Sequence, residues 1–156
     1  MKETKYIRFT KVALPFGWLG NMAPFPVVWE GVTWKTTEAL FQALRFEDPE
    51  IRERIRQEKS PFSAKLVAKS HKDKMVIESL SRKDVQNMIL CVRLKLEQYP
   101  ELQEELNKTG DSILFEDVTS RKTRGSSLFW GAYLQEDVLV GKNILARIWM
   151  KFRVNL

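Results

Sequence analysis

From Glu38 to Phe46 the chain reads Glu-Ala-Leu-Phe-Gln-Ala-Leu-Arg-Phe, and Glu38, Gln42 and Arg45 are its polar residues. Steps of four and three put these three side chains on one stripe of a helix, which Thr36 or Thr37 can cap. A helix that is apolar around the rest of its circumference must be enclosed by protein, so the stripe faces either solvent or a polar cavity. Both readings remain open at this level. In the first the helix lies at an edge of the fold; in the second Glu38, flanked by Trp34 and Phe41, sits in a pocket poor in water.

The flanking pattern points to an α+β fold, compact and mostly helical, with a few short N-terminal strands, in a single domain over residues 1–156. Short apolar runs at Tyr6 to Phe9, Val27 to Trp29 and Val32 to Trp34 read as strands, the last two joined by a turn at Glu30-Gly31. The glycines and aromatics of Phe16 to Asn21 predict an ordered, packed loop. Asp48-Pro49 and Ser60-Pro61 each start a helix, because a capping side chain followed by proline suits an N-terminus. The first of these carries Ile51 and Ile55 on one face, and the second runs through Ala64 and Val67. Ser81 and Asp84 make a capping-box pattern at the head of a long helix to Tyr99, with Val85, Met88, Ile89, Val92 and Leu96 as its apolar face. Pro100 restarts a helix that ends at Thr109-Gly110. A strand at Ile113 to Glu116, a basic loop from Thr119 to Ser127 and a helix from Lys142 to Arg153 complete the reading.

Composition narrows the chemistry. With one cysteine, Cys91, and one histidine, His71, the chain cannot form an internal disulfide or a Cys/His zinc cluster, so no metal and no cofactor is expected. No apolar run reaches the roughly 20 residues of a bilayer span, and Met1 to Lys5 lacks the apolar stretch of a secretory signal, so the expected location is cytoplasmic, away from membranes. Twenty-six Lys and Arg against 20 Asp and Glu leave a formal charge of +6, which favours anionic partners without naming one.

Four groups of residues carry candidate chemistry. Glu38 can serve cleavage of a glycoside in either protonation state: as an acid it protonates a leaving base, and as a carboxylate it steadies an oxocarbenium-like ribose or activates water. Phe129-Trp130-Gly131 follows the basic segment Arg121 to Ser127, a pairing of stacking faces and phosphate-gripping cations that suits a nucleotide and equally suits a structural corner. Gly141-Lys142-Asn143 precedes the last helix, where free backbone N–H groups can receive an anion. Lys95 lies on the long helix; its ammonium either snorkels to water or, if desolvated, becomes a nucleophile able to form a Schiff base with a ring-opened ribose.

Taken in order, these pieces resemble the NADAR (YbiA-like) family, from about Phe16 to Arg153. Gly31-Val32-Thr33-Trp34-Lys35-Thr36-Thr37-Glu38-Ala39-Leu40-Phe41-Gln42-Ala43 is similar to the family signature G-x-x-W-x-T-x-E-x-x-F-Q-A. Leu19 to Met22 with Pro26, Ser60-Pro61 with Ala64-Lys65, Met88 with Lys95, Thr109-Gly110 with Glu116, Trp130-Gly131 and Gly141-Lys142-Asn143 follow in the family's order. The resemblance implies a metal-free N-glycosidase that cleaves the base–ribose bond of a riboflavin-pathway ribosylamine phosphate or of ADP-ribosylated guanine. It implies Glu38 as the catalytic carboxylate and Lys95 as the residue forming a covalent sugar adduct. Trp34 and Trp130 would line the pocket; Asn21, Gln42 and Arg45 would supply polar contacts; and Gly131, Lys142 and Asn143 would belong to the binding surface. Its partner would be a phosphorylated ribosyl or ADP-ribosyl small molecule, with ADP-ribosylated nucleic acid as a further form; the sequence names no protein partner and leaves open a place in a larger assembly.

The chain departs from the family pattern at three positions. Ser127 stands where an Asp is frequent three residues before the Trp-Gly pair, which leaves Glu116 or Asp117 as the candidate second acid. Ala146 replaces a usual glycine, and Arg45 a frequent lysine, exchanging a point donor for a planar fork. A reading of another class is a module that binds ADP-ribose or nucleic acid without turning it over, relying on charge and aromatic platforms.

Overall fold

Helix α1 spans Thr37–Ala43, and Thr36 caps it by accepting from the Ala39 N–H. Every residue of α1 is buried, including Glu38 and Gln42, which decides against the solvated stripe. It ends three residues before Phe46: the N–H groups of Arg45 and Phe46 donate to Gln42 and Ala43 in a tightened last turn. Arg45 therefore leaves the helix axis with its side chain buried.

The computed structural model describes residues 3–156; Met1 and Lys2, part of the N-terminal stretch read above, lie outside the described residues. These residues form two compact units, one of residues 21–98 and the other of residues 3–20 with 99–156.

In the unit of residues 21–98, strands β2 (Val27–Trp29) and β3 (Val32–Trp34) pair antiparallel across Glu30-Gly31, both in the left-handed region as a tight hairpin turn requires. Helices α2 (Pro49–Gln57) and α3 (Pro61–Ser70) start where Asp48 and Ser60 predict, and Ser60 forms a reciprocal capping box with Ser63. Ile51, Ile55, Ala64 and Ala68 pack beside Leu40, Phe41 and Phe46 in an apolar core. Helix α4 (Arg82–Gln98) closes this unit. Its buried face holds Met88, Val92 and Leu96 as the apolar periodicity predicts, but not Ile89. Asp84, Met88, Cys91, Val92, Lys95 and Leu96 are buried, whereas Ile89 is exposed. Apolar spacing misreads this helix because two charged residues lie on its inner side.

In the other unit, β1 (Tyr6–Phe9) pairs parallel with β4 (Ile113–Glu116), so Phe9, Leu114 and Phe115 enter the core. Helix α5 (Pro100–Lys108) precedes β4, and the four-residue α6 (Ser127–Trp130) ends the basic loop. A hairpin absent from the sequence reading follows, β5 (Tyr133–Gln135) with β6 (Val138–Val140), turning at Glu136 and Asp137 with both residues left-handed. The last helix, α7 (Ile144–Val154), starts two residues later than expected. Its Trp149 is fully buried, donates to the Leu19 carbonyl at 2.9 Å and meets Trp18 edge to face at 5.6 Å. The loop holding Trp18 and Leu19 is a 3-10 turn, Gly17–Leu19, as ordered as its composition predicts. No helix among the described residues is long and apolar enough to cross a membrane.

Candidate active site

The stripe of α1 meets the polar inner side of α4. Glu38 Oε1 accepts from Gln42 Nε2 at 2.9 Å, and Gln42 Oε1 accepts from Arg45 Nη1 at 3.4 Å. Arg45 then grips Asp84 with two parallel bonds, Nε to Oδ1 at 2.9 Å and Nη2 to Oδ2 at 2.7 Å. This planar fork is available to arginine and not to lysine. Asp84 also accepts from the Leu80 N–H at 2.9 Å and receives no solvent, while Arg45 lies over the Phe41 ring at 4.6 Å. The four side chains form one buried line across two helices.

Lys95 is on the same face of α4, four residues beyond Cys91. It is 1% exposed, and burial lowers its pKa from 10.5 to about 7. A substantial fraction of the side chain is therefore the neutral amine at neutral pH. Its Nζ lies 5.0 Å from the centre of the Phe25 ring. The Cys91 thiol between Asp84 and Lys95 is pushed well above its usual range, first by burial and then by the negative charges of Glu38 and Asp84. Both carboxylates thus act on the α4 stripe, and the thiol is inert.

Asn21 braces this arrangement. Its Oδ1 accepts from Thr37 Oγ1 at 2.9 Å, its Nδ2 donates to Met88 Sδ at 3.0 Å, and its carbonyl accepts from the Glu38 N–H at 3.1 Å. Asn21, expected as a substrate contact, ties the start of α1 to α4. Trp34 is 4% exposed, and its indole N–H is buried with no hydrogen-bond partner among the described residues. Such an N–H is costly to leave unmet and is a ready donor.

In the other unit, Gly131 and Asn143 hold the backbone together. Gly131 has no room for a Cβ, which would stand 2.5 Å from Val118 Cγ1 and 2.7 Å from the Glu116 carbonyl. Two N–H groups just before α7 are occupied: Lys142 donates to the Leu128 carbonyl at 2.7 Å and Asn143 to that of Gly131 at 3.1 Å. Asn143 also donates from Nδ2 to the Leu114 carbonyl at 2.9 Å and accepts from the Glu116 N–H at 3.3 Å, clipping β4 to the head of α7. Trp130 stands edge to face with Phe129 at 4.9 Å, and Lys142 Nζ lies 5.5 Å from the Phe129 ring. Of the candidate second acids, Glu116 pairs with Arg121 at 3.2 Å, while Asp117 pairs with Arg8 at 3.5 Å and caps Thr119. Among the described residues no three His, Cys, Asp or Glu side chains are grouped to hold a metal ion.

Sequence reasoning missed Asp84 as the partner of Arg45, having read it as a cap alone. The signal was present: Asp84, Met88, Cys91 and Lys95 recur at steps of four, three and four.

The model of the NADAR domain matches residues 3–156. The chain is 30% identical over 156 residues to N-glycosidase YbiA of Escherichia coli (strain K12), covering all of this chain and 91% of that protein. The same identity and coverage hold for N-glycosidase YbiA of Shigella boydii serotype 4 (strain Sb227). The NMR structure of the E. coli protein YbiA superposes with a TM-score of 0.81 at 29% identity, over 99% of this chain and 86% of that one. The shared fold and the match along nearly the whole length have one consequence: this chain belongs to the NADAR domain family.

Proposed function

We propose that the protein is an N-glycosidase that hydrolyses the base–ribose C–N bond of a nucleotide-like substrate, either ADP-ribosylated guanine or a riboflavin-pathway ribosylamine phosphate. The general activity is supported by kinship with proteins named N-glycosidase. The observation that carries the chemistry is the burial of a carboxyl, Glu38 on α1, together with that of a lysine on the inner face of α4, Lys95, whose pKa burial lowers to about 7. Desolvated ionisable groups cost stability, and a chain that keeps them buried has a chemical use for them.

In this reading the neutral Lys95 amine attacks C1′ of the ribose. The C1′–N bond breaks, its electron pair leaves with the base, and the Glu38 carboxylate carries to the departing nitrogen the proton that the attached amine sheds. The amine nitrogen then expels the ring oxygen, leaving an iminium on the opened sugar. Water adds to C1′, its proton passes through Glu38 to the freed ring oxygen, and collapse of the adduct releases ribose and restores the amine. Gln42 holds Glu38, Arg45 with Asp84 holds Gln42, and the Trp34 N–H supplies a donor to the substrate. Trp130 and Lys142 are proposed to contribute to substrate binding, which their substitution by Ala tests through KM.

Incubation with each glycoside, assayed for released base, tests the activity. Borohydride added during turnover should fix one sugar mass on Lys95. Glu38→Gln should stay folded and lose about 10²–10⁴ in kcat. Tight binding without released base from either substrate class would favour the binding-module reading instead.

A further inference from the structure

A cavity of about 220 Å³ opens beside the buried line and is lined by Gln42 and Arg45 together with Lys65, Lys69 and Lys72. Lys65 and Lys69 are one helical turn apart on α3, and Lys72 begins the 3-10 turn that follows. Met75 and Ser79 also line it, and the segment between them is anchored because the N–H groups of Val76 and Ile77 both donate to the Arg45 carbonyl, at 2.9 and 3.3 Å. All three lysines are exposed, and none has an ion-pair or hydrogen-bond partner among the described residues. The Arg45 charge is balanced by Asp84, so the cavity keeps the charge of the lysines. Like charges gathered on one recess without a counterion repel, and an anion placed there removes that repulsion.

We infer that this cavity is a phosphoryl-binding subsite, in which Lys65, Lys69 and Lys72 take a phosphate group of the substrate while Gln42 links it to Glu38. The inference rests on the proposed glycosidase reading for the identity of the ligand, but its physical content is separate. Nothing in the sequence reading assigned anion binding here; that role fell to the basic loop and to Lys142, whose backbone N–H is already bonded.

The test uses the full chain and its K65Q/K69Q/K72Q variant, which keeps the exposed stems and should fold as the parent does. Inorganic pyrophosphate is titrated first, followed by calorimetry, into protein carrying Glu38→Gln so that turnover plays no part. At least about tenfold weaker binding in the triple variant is expected, and equal binding would overturn the subsite. The glycosidase assay is then run on a ribosylamine with and without its 5′-phosphate. KM for the phosphorylated form should rise about tenfold or more in the triple variant, with kcat and the unphosphorylated substrate unchanged. Glycoside turnover with equal KM in both proteins would sink the subsite while leaving the enzyme reading intact. Lysine-dependent pyrophosphate binding without turnover would sustain the subsite and defeat the enzyme reading. Lysine-dependent binding of a single-stranded oligonucleotide, with pyrophosphate indifferent, would assign the cavity to a nucleic-acid backbone and overturn the proposal.

Discussion

The interface of α1 with α4 and the corner from Gly131 to Asn143 are both rich in buried polar atoms, yet they dispose of them in opposite ways. At the corner, Asn143 sends both ends of its amide to the backbone of β4, and backbone N–H groups meet backbone carbonyls. At the helix interface side chains bind side chains, from Glu38 through Gln42 and Arg45 to Asp84, with Lys95 on the same face of α4. Polar groups bonded to backbone hold a fold together and are satisfied in doing so. Buried charges bonded to one another are a poor source of stability, because an apolar replacement often does as well. The first region explains itself by architecture, whereas the second needs a chemical purpose.

The largest effect that would break this contrast belongs to Lys95. Lys95→Met should cost at least about a thousandfold in kcat if the amine is the nucleophile, yet it should stabilise the protein at pH 6. Burial lowers the folded pKa from 10.5 to about 7, so between those values the unfolded chain holds a proton that the folded chain has released. Stability of the parent therefore climbs with pH across that window, and the burden of the charged amine is fully present below it. Thermal unfolding of both proteins from pH 6 to pH 11 should show the advantage of Lys95→Met, on the order of a few kcal/mol, shrinking as pH rises. A constant difference would mean that Lys95 is not desolvated. On the activity side, kcat of the parent should fall as pH drops through about 7 and the amine is protonated.

Asp84→Ala comes next, since it strands the Arg45 guanidinium in a site where that side chain is only a tenth exposed. A loss of about 3–5 kcal/mol in denaturant unfolding is expected, accompanied by a fall in kcat as Gln42 loses its brace. At the corner, Asn143→Ala should cost about 1–3 kcal/mol through the unmet β4 groups, with KM for either glycoside class unchanged. A selective rise in KM there would move Asn143 from scaffold to site and erase the distinction between the regions. The smallest expected effect is that of Trp34→Phe. Removing an indole N–H that has no partner among the described residues should raise stability by up to about 1 kcal/mol, and a severalfold rise in KM would identify that N–H as a substrate donor. Lower stability with unchanged KM would show that the indole serves packing alone.

Much of this molecule was legible beforehand because its signals are local. Thr36, Asp48 and Ser60 cap the helices that their positions predict, and Glu30-Gly31 turns the hairpin between β2 and β3. Glu38, Gln42 and Arg45 were drawn together by helical spacing, and that stripe is buried. The hairpin of β5 and β6 escaped notice because Glu136-Asp137 lacks the glycine that usually announces a left-handed turn. On α4 the apolar Met88, Val92 and Leu96 were legible, whereas the burial of Asp84 and Lys95 was not, because periodicity ranks residues by apolarity and counts both as outward-facing.

The chain alone determined its helices, their caps, its family likeness and the stripe on α1, since each depends on neighbours within a few residues. Tertiary structure alone decided that Asp84 answers Arg45 across 39 positions, that Lys95 is cut off from water, and that three lysines surround one recess. Desolvation and charge balance are sums over everything that packs around a group, and no spacing along the chain records what those surroundings will be.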